Sequence, residues 1–160
     1  MSDPYREIDQ AFLVMHRALT ASFSANDSMF GRVEMSTLWV LDALWRNPTT
    51  ELMTIGDIAV ALHIAPSTAS RFVARARIAE TVVKIRSTRD GRNVCIAFTD
   101  RGEAMARGAE RWRFSFLRDH TTGWSAAELD TLGALLSRMG ASLTAGETPD
   151  PLQTEGKASR

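Results

Sequence analysis

The sequence predicts a mainly α-helical fold with one small β-hairpin, and three observations carry that expectation. Ile8, Phe12, Met15, Leu19 and Phe23 recur at the three- and four-residue spacing of a long helix. Two helical segments then follow each other across a short break at residues 63–65. After them the period shortens: Val83 and Ile85, then Val94, Ile96 and Phe98, alternate as strand residues do. At 160 residues, 44% apolar and 24% charged, the chain is of a size and composition to bury one core. The longest apolar runs are interrupted by Asp42, His63 or Arg71, which excludes a membrane-spanning helix. The single Cys95 excludes an internal disulfide framework, and the acidic, polar first ten residues are unlike a secretory signal, so a cytoplasmic protein is expected.

The elements follow in order. The first helix ends where residues 24–28 and Gly31 break its stripe. A second, at about 36–46, has only Thr37 and Asp42 as polar interior positions and should be buried all round. Thr54 and Asp57 have the spacing of a reciprocal cap, opening a helix at 55–62 that buries Ile58, Ala59 and Leu62. Pro66 then sits in the first turn of a helix running to about residue 79, where a missing N–H costs least. The two strands flank a turn-forming, basic loop at 87–93. Thr99 caps a long fifth helix with the stripe Met105, Ala109, Trp112 and Phe116, closed by Thr121, Thr122 and Gly123. Ser125 and Glu128 form a second capping box, for a helix carrying Leu129, Leu132, Leu136, Met139 and Leu143. From residue 144 onward Pro, Gly, Thr and charged residues dominate, as in a flexible tail. A charged hairpin directly after a helix-turn-helix is a wing, so the fold class is a winged helix-turn-helix flanked by helices.

Net charge is zero, with 19 basic and 19 acidic side chains, but the charges are not spread evenly. Residues 65–93 hold seven bases (Arg71, Arg75, Arg77, Lys84, Arg86, Arg89, Arg92) against two acids (Glu80, Asp90). A basic stripe on an otherwise acidic protein steers one face towards a polyanion, although most charge runs are simply solvated surface. The helix at 66–79 weighs on that choice. At 100° per residue, Ala69, Phe72, Val73 and Ala76 share one face, while Ser67, Arg71, Ala74 and Arg75 share the opposite one, flanked by Thr68 and Ser70. Short hydroxyls and arginines around a small alanine suit close approach to a major groove, where arginine bonds guanine O6 and N7 in pairs. Arg86, Arg89 and Arg92 belong to the adjoining hairpin, and guanidinium groups on a narrow loop suit the minor groove. Asp90 either holds Arg92 by paired hydrogen bonds or, with Gly91, only makes the tight turn.

The order of elements and the residues Ile58-Ala59-Val60-Ala61-Leu62, Ser67-Thr68-Ala69-Ser70-Arg71, Asp90-Gly91-Arg92 and Phe98-Thr99-Asp100-Arg101-Gly102 resemble the MarR (multiple-antibiotic-resistance regulator) family. The resemblance covers roughly residues 5–143. It implies one domain over 1–143, with a winged helix-turn-helix at about 36–99, dimerisation helices at about 4–24 and 99–143, and a tail at 144–160. It also implies a homodimeric, cytoplasmic transcriptional regulator, a repressor binding an inverted repeat in double-stranded DNA. Ser67, Thr68, Ser70, Arg71 and Arg75 would then be major-groove or phosphate contacts, with Arg92 the wing arginine and Asp90 its partner. Two positions depart from the family pattern: Ala65 where a capping serine is usual, and Glu80 where glycine commonly ends the recognition helix. The departure at Glu80 implies a differently shaped helix end.

Trp39, Trp45, Trp112, Trp124 and the phenylalanines either line a small-molecule pocket or are plain core. The resemblance implies an aromatic or phenolic effector between the dimerisation helices and the DNA-binding lobe, with His16, Trp39 and Trp112 as candidate lining residues. His16 would orient an anionic ligand or serve as a structural histidine. His16, His63 and His120 lack ligand spacing, so no metal is expected, and no cofactor is implied. Cys95 on a strand is either a redox sensor or a small hydrophobe. There is no phosphate-binding glycine loop, nucleophile elbow or zinc helix, so an enzyme is not expected. A winged-helix protein-interaction module that does not bind DNA is the alternative, supported by Glu80 and the zero net charge.

Overall fold

Asp3 starts the first helix: its carboxylate accepts the Tyr5 N–H at 3.0 Å, and Pro4 occupies the position where its missing N–H is harmless. The computed structural model describes residues 3–25, 33–47, 51–86 and 93–144, of which 22–25 and 144 are described by backbone alone. The elements are α1 (Pro4–Ala25), α2 (Met35–Trp45), β1 (Met53–Thr54), α3 (Ile55–Ala61), α4 (Pro66–Ile78), β2 (Val82–Arg86), β3 (Val94–Phe98), α5 (Asp100–His120) and α6 (Ala126–Thr144). The chain divides into two compact units, Met1–Phe114 and Ser115–Arg160. The wing tip at 87–92 and the tail beyond 144 lie outside the described residues.

In the first unit, α2, α3 and α4 pack on a three-stranded antiparallel sheet of order β1-β3-β2. Leu41, Val40, Ile58, Val73, Val82 and Ile96 are fully buried, and Met105 and Ala106 of α5 close the same core. The Thr54–Asp57 box forms as the spacing predicts. The Asp57 N–H donates to Thr54 Oγ1 at 3.2 Å, and the Thr54 N–H donates to Asp57 Oδ2 at 2.8 Å.

Both helices of the helix-turn-helix end in the same way. After α3, the N–H of His63 donates to the Val60 carbonyl and that of Ile64 to Ala59. After α4, Glu80 donates to Arg77 and Thr81 to Ala76. This is the Schellman arrangement, which requires a left-handed residue just past the cap. His63 (φ 53°) and Glu80 (φ 57°) supply it without being glycine. The expectation that Glu80 reshapes the helix end is therefore corrected: the glycine-type terminus forms, and Glu80 bears the strain of a Cβ in that region.

Thr81 is the keystone of the corner that follows. Its hydroxyl donates to the Ala76 carbonyl at 2.8 Å, and its own carbonyl accepts the Thr99 N–H at 3.1 Å. Thr99 Oγ1 donates to the Glu80 carbonyl and accepts the Gly102 N–H at 3.0 Å. The first turn of α5 thereby lies so close to Thr81 that a Cβ on Gly102 would stand 1.8 Å from the Thr81 carbonyl oxygen. The glycine three residues after Thr99 is a packing requirement.

Three features go beyond or against the sequence expectations. Val83 and Ile85 do lie on a strand, but Val82 is its buried residue and Val83 is exposed. The tight end of α4 delivers Val82 against the core, and strand alternation carries Val83 to the other face. β1 was not expected; two residues pair Met53 with Ile96 and Thr54 with Cys95, so β3 is the central strand and buries both Cys95 and Ile96. Trp39 and Met35 leave α2 only partly covered, with Trp39 48% exposed.

In the second unit, Ser125 and Glu128 form the capping box expected of them, at 2.8 Å and 3.3 Å. The Ser125 backbone N–H and hydroxyl hold the Glu128 carboxyl below the ordinary glutamate value. Along α6, Leu129, Leu136, Met139 and Leu143 are exposed in the single chain, as are Ile8, Phe12, Met15 and Leu19 on α1.

Candidate nucleic-acid interface

The apolar spacing of α4 sets which of its faces is free. Ala69, Val73 and Ala76 are at zero exposure, and Phe72 packs on Trp39 of α2 with ring centroids 5.7 Å apart. Ser67, Ser70, Arg71, Ala74 and Arg75 are consequently exposed, with Thr68 half-buried beside them. Thirteen residues make a rod about 20 Å long, enough to lie along a major groove. Ala65 caps the helix with no side-chain hydrogen bond, which leaves that end to its backbone N–H groups.

The two arginines of this face differ. Among the described residues Arg71 Nη2 donates to the neutral hydroxyl of Thr68, at 3.3 Å, and meets no carboxylate. Arg75 Nη1 donates to Glu34 Oε2 at 2.5 Å, with the two side chains 52% and 60% exposed. Glu34, the residue before α2, escaped the sequence reading because 41 positions separate it from Arg75. No local spacing signals such a pair. Arg86 ends β2 opposite Val94 and is exposed, so the base of the wing is cationic. Arg89, Asp90 and Arg92 lie outside the described residues.

A cavity of about 450 Å³ opens between α1, α2 and the first part of α5. The candidate lining residues His16, Trp39 and Trp112 are all on its wall. Trp45 is not; it meets Phe98 edge-on at 6.4 Å. Trp124 is in the second unit. The floor of the cavity is polar. Asp42 accepts Arg113 Nη2 at 2.7 Å and Arg46 Nε at 2.8 Å, and all three side chains line the cavity. The one signal for it was Asp42 as a charged interior position on an otherwise apolar helix. Cys95 is 4% exposed on the central strand. Among the described residues no cluster of His, Cys, Asp or Glu is placed to hold a metal, and no helix is long and apolar enough to cross a membrane.

No protein-family model matches the sequence, and no curated protein matches it. Solved structures do. The chain is similar to FabT of Streptococcus pneumoniae in complex with DNA, at 18% identity over 87% of this chain and 96% of that one, TM-score 0.74. It is similar to the transcriptional regulator SlyA at 17% identity over 90% and 96%, TM-score 0.69. It is also similar to a MarR protein from Peptoclostridium difficile at 14% identity over 86% and 88%, TM-score 0.70.

Proposed function

We propose that this chain, whose fold is the MarR-type winged helix, is a sequence-specific double-stranded-DNA-binding transcriptional regulator. It acts as a homodimer on an inverted repeat, as a repressor released by a small aromatic or phenolic ligand. The observation that carries the DNA reading is the outward face of α4: Ser67, Ser70, Arg71 and Arg75 exposed over a fully buried Ala69-Val73-Ala76 seam. FabT, of the same fold, was solved in complex with DNA, which supports it. The reading is of a binding protein and not of an enzyme.

Dimerisation is supported by the apolar stripes on α1 and α6, which a single chain leaves in water. Ligand response is supported by the cavity: two tryptophan rings suit an aromatic ligand, and its volume is within the usual range for small-molecule sites. Met35 of its wall adjoins Glu34, which holds Arg75, so the cavity and the α4 face share one helix.

A titration against a duplex selected by the protein from a randomised pool tests the DNA reading. Affinity should fall steeply with salt as counterions are released, and the enriched sequence should be an inverted repeat with half-sites about one helical turn apart. Failure to bind any duplex at low salt overturns it. The Glu34–Arg75 pair and the zero net charge favour a second reading, a protein-interaction module. In that case reversing the charge of Arg71 leaves cellular function intact.

A further inference from the structure

We infer that Glu34 is a specificity-determining residue of the α4 face, holding Arg75 as a reader of bases and suppressing its use as a general phosphate anchor. The inference rests on the DNA-binding reading above. Glu34 stands at the N-cap of α2 in extended conformation, yet its side chain makes no capping hydrogen bond. The carboxylate is spent on Arg75 instead, with Ser36 Oγ donating to the same oxygen at 3.4 Å. A contact across 41 residues, between the start of one helix and the outward side of another, has no local role in either helix.

The chemistry follows from what a guanidinium can share. It has five N–H donors in a rigid fork, and Glu34 takes the Nη1 side. The remaining donors can still meet the paired acceptors of a guanine edge, but only in the orientation that Glu34 dictates. A phosphate can accept the same paired donors, but it is an anion, and the Glu34 carboxylate beside Arg75 repels it where it tolerates a neutral base edge. Both side chains are about half exposed, so the pair is weak enough to be exchanged. Sequence-independent binding is therefore disfavoured while a matching base pair is not, and the difference between the two is specificity. Arg71, which among the described residues bonds to a hydroxyl, carries no such restraint there.

The test uses the full chain and two duplexes: one enriched by the wild-type protein from a randomised pool, and a scrambled version of it. Glu34→Gln removes the charge and keeps the shape. It should tighten binding to the scrambled duplex by roughly two- to fivefold, the size of an exposed ion pair. The slope of log affinity against log salt on that duplex should steepen by about 0.9, one further phosphate contact. The ratio of the two affinities should shrink correspondingly. In an Arg75→Ala background the same substitution should change neither ratio nor slope. Equal thermal unfolding of Glu34→Gln and wild type excludes a folding effect, since both side chains are on the surface. An unchanged affinity ratio in Glu34→Gln overturns the inference while leaving the DNA reading standing. So does a change that persists undiminished without Arg75, which would mark a mere long-range charge effect. Absence of wild-type binding to both duplexes overturns the DNA reading itself, and the inference with it.

Discussion

Gly102→Ala places one methyl group where the first turn of α5 crosses the corner after α4. The added carbon stands 1.8 Å from the Thr81 carbonyl oxygen and 2.8 Å from its carbonyl carbon, both backbone atoms. A carbon–oxygen contact of about 3.3 Å is the near limit, so roughly 1.5 Å of separation must be found. Thr81 cannot supply it locally. It is fully buried, its N–H and hydroxyl are both bonded to the Ala76 carbonyl, and its carbonyl holds Thr99. The relief has to come from moving α5 outward. That breaks the Thr99 N–H bond to Thr81 and the Thr99 hydroxyl bond to Glu80, at about 1 kcal/mol each. It also disturbs the packing of Met105 and Ala106, at about 1–3 kcal/mol. The expected loss is about 3–5 kcal/mol, a large part of a domain's total stability. Urea unfolding monitored by circular dichroism measures it as a lower midpoint at unchanged slope. Gly108→Ala in the same helix is the internal control. Its new Cβ meets nothing within 4 Å, so the better helix former should raise stability by about 0.5–1 kcal/mol. A Gly102→Ala protein within about 1 kcal/mol of wild type would mean that this corner is not rigid.

Glu80→Gly removes the Cβ from a left-handed position and should stabilise the chain by about 1 kcal/mol, seen as a melting temperature higher by roughly 2–4 °C. Arg71→Ala should cost about 1–3 kcal/mol on the selected duplex and broaden the enriched sequence, as the proposed role of a base contact requires; an unbroadened pool after selection with the variant counts against that role. The Glu128 carboxyl has its pKa lowered by Ser125, so the cap it makes is fully present above the ordinary glutamate value and is lost as pH falls through the lowered one. A stability difference between wild type and Glu128→Gln should therefore exist at neutral pH and vanish in acid, and a difference that is flat with pH contradicts the assignment.

Local chemistry carried much of the fold. Thr54 with Asp57, Ser125 with Glu128, and Pro66 each announce a helix start, because a cap involves partners only three residues apart and leaves its mark in spacing. The inward seam of α4 was legible for the same reason: a helix repeats its faces every 3.6 residues, so Ala69, Val73 and Ala76 declare themselves together. His16, Trp39 and Trp112 could be named as pocket candidates, but that they meet in one cavity depends on three helices packing.

Where helices begin, which period each segment follows and where cationic side chains concentrate are all legible along the linear chain. Tertiary structure alone decided that Glu34 meets Arg75, that Asp42 binds Arg46 and Arg113 at once, and that a two-residue β1 makes β3 central and buries Cys95. It also decided that Glu80 adopts the glycine conformation, since the bonds of Thr81 and Thr99 hold that corner from outside the helix. The difference is one of range. Caps and periods act over a few residues and are written in spacing, whereas ion pairs, cavities and strand neighbours depend on which surfaces the buried apolar faces bring together.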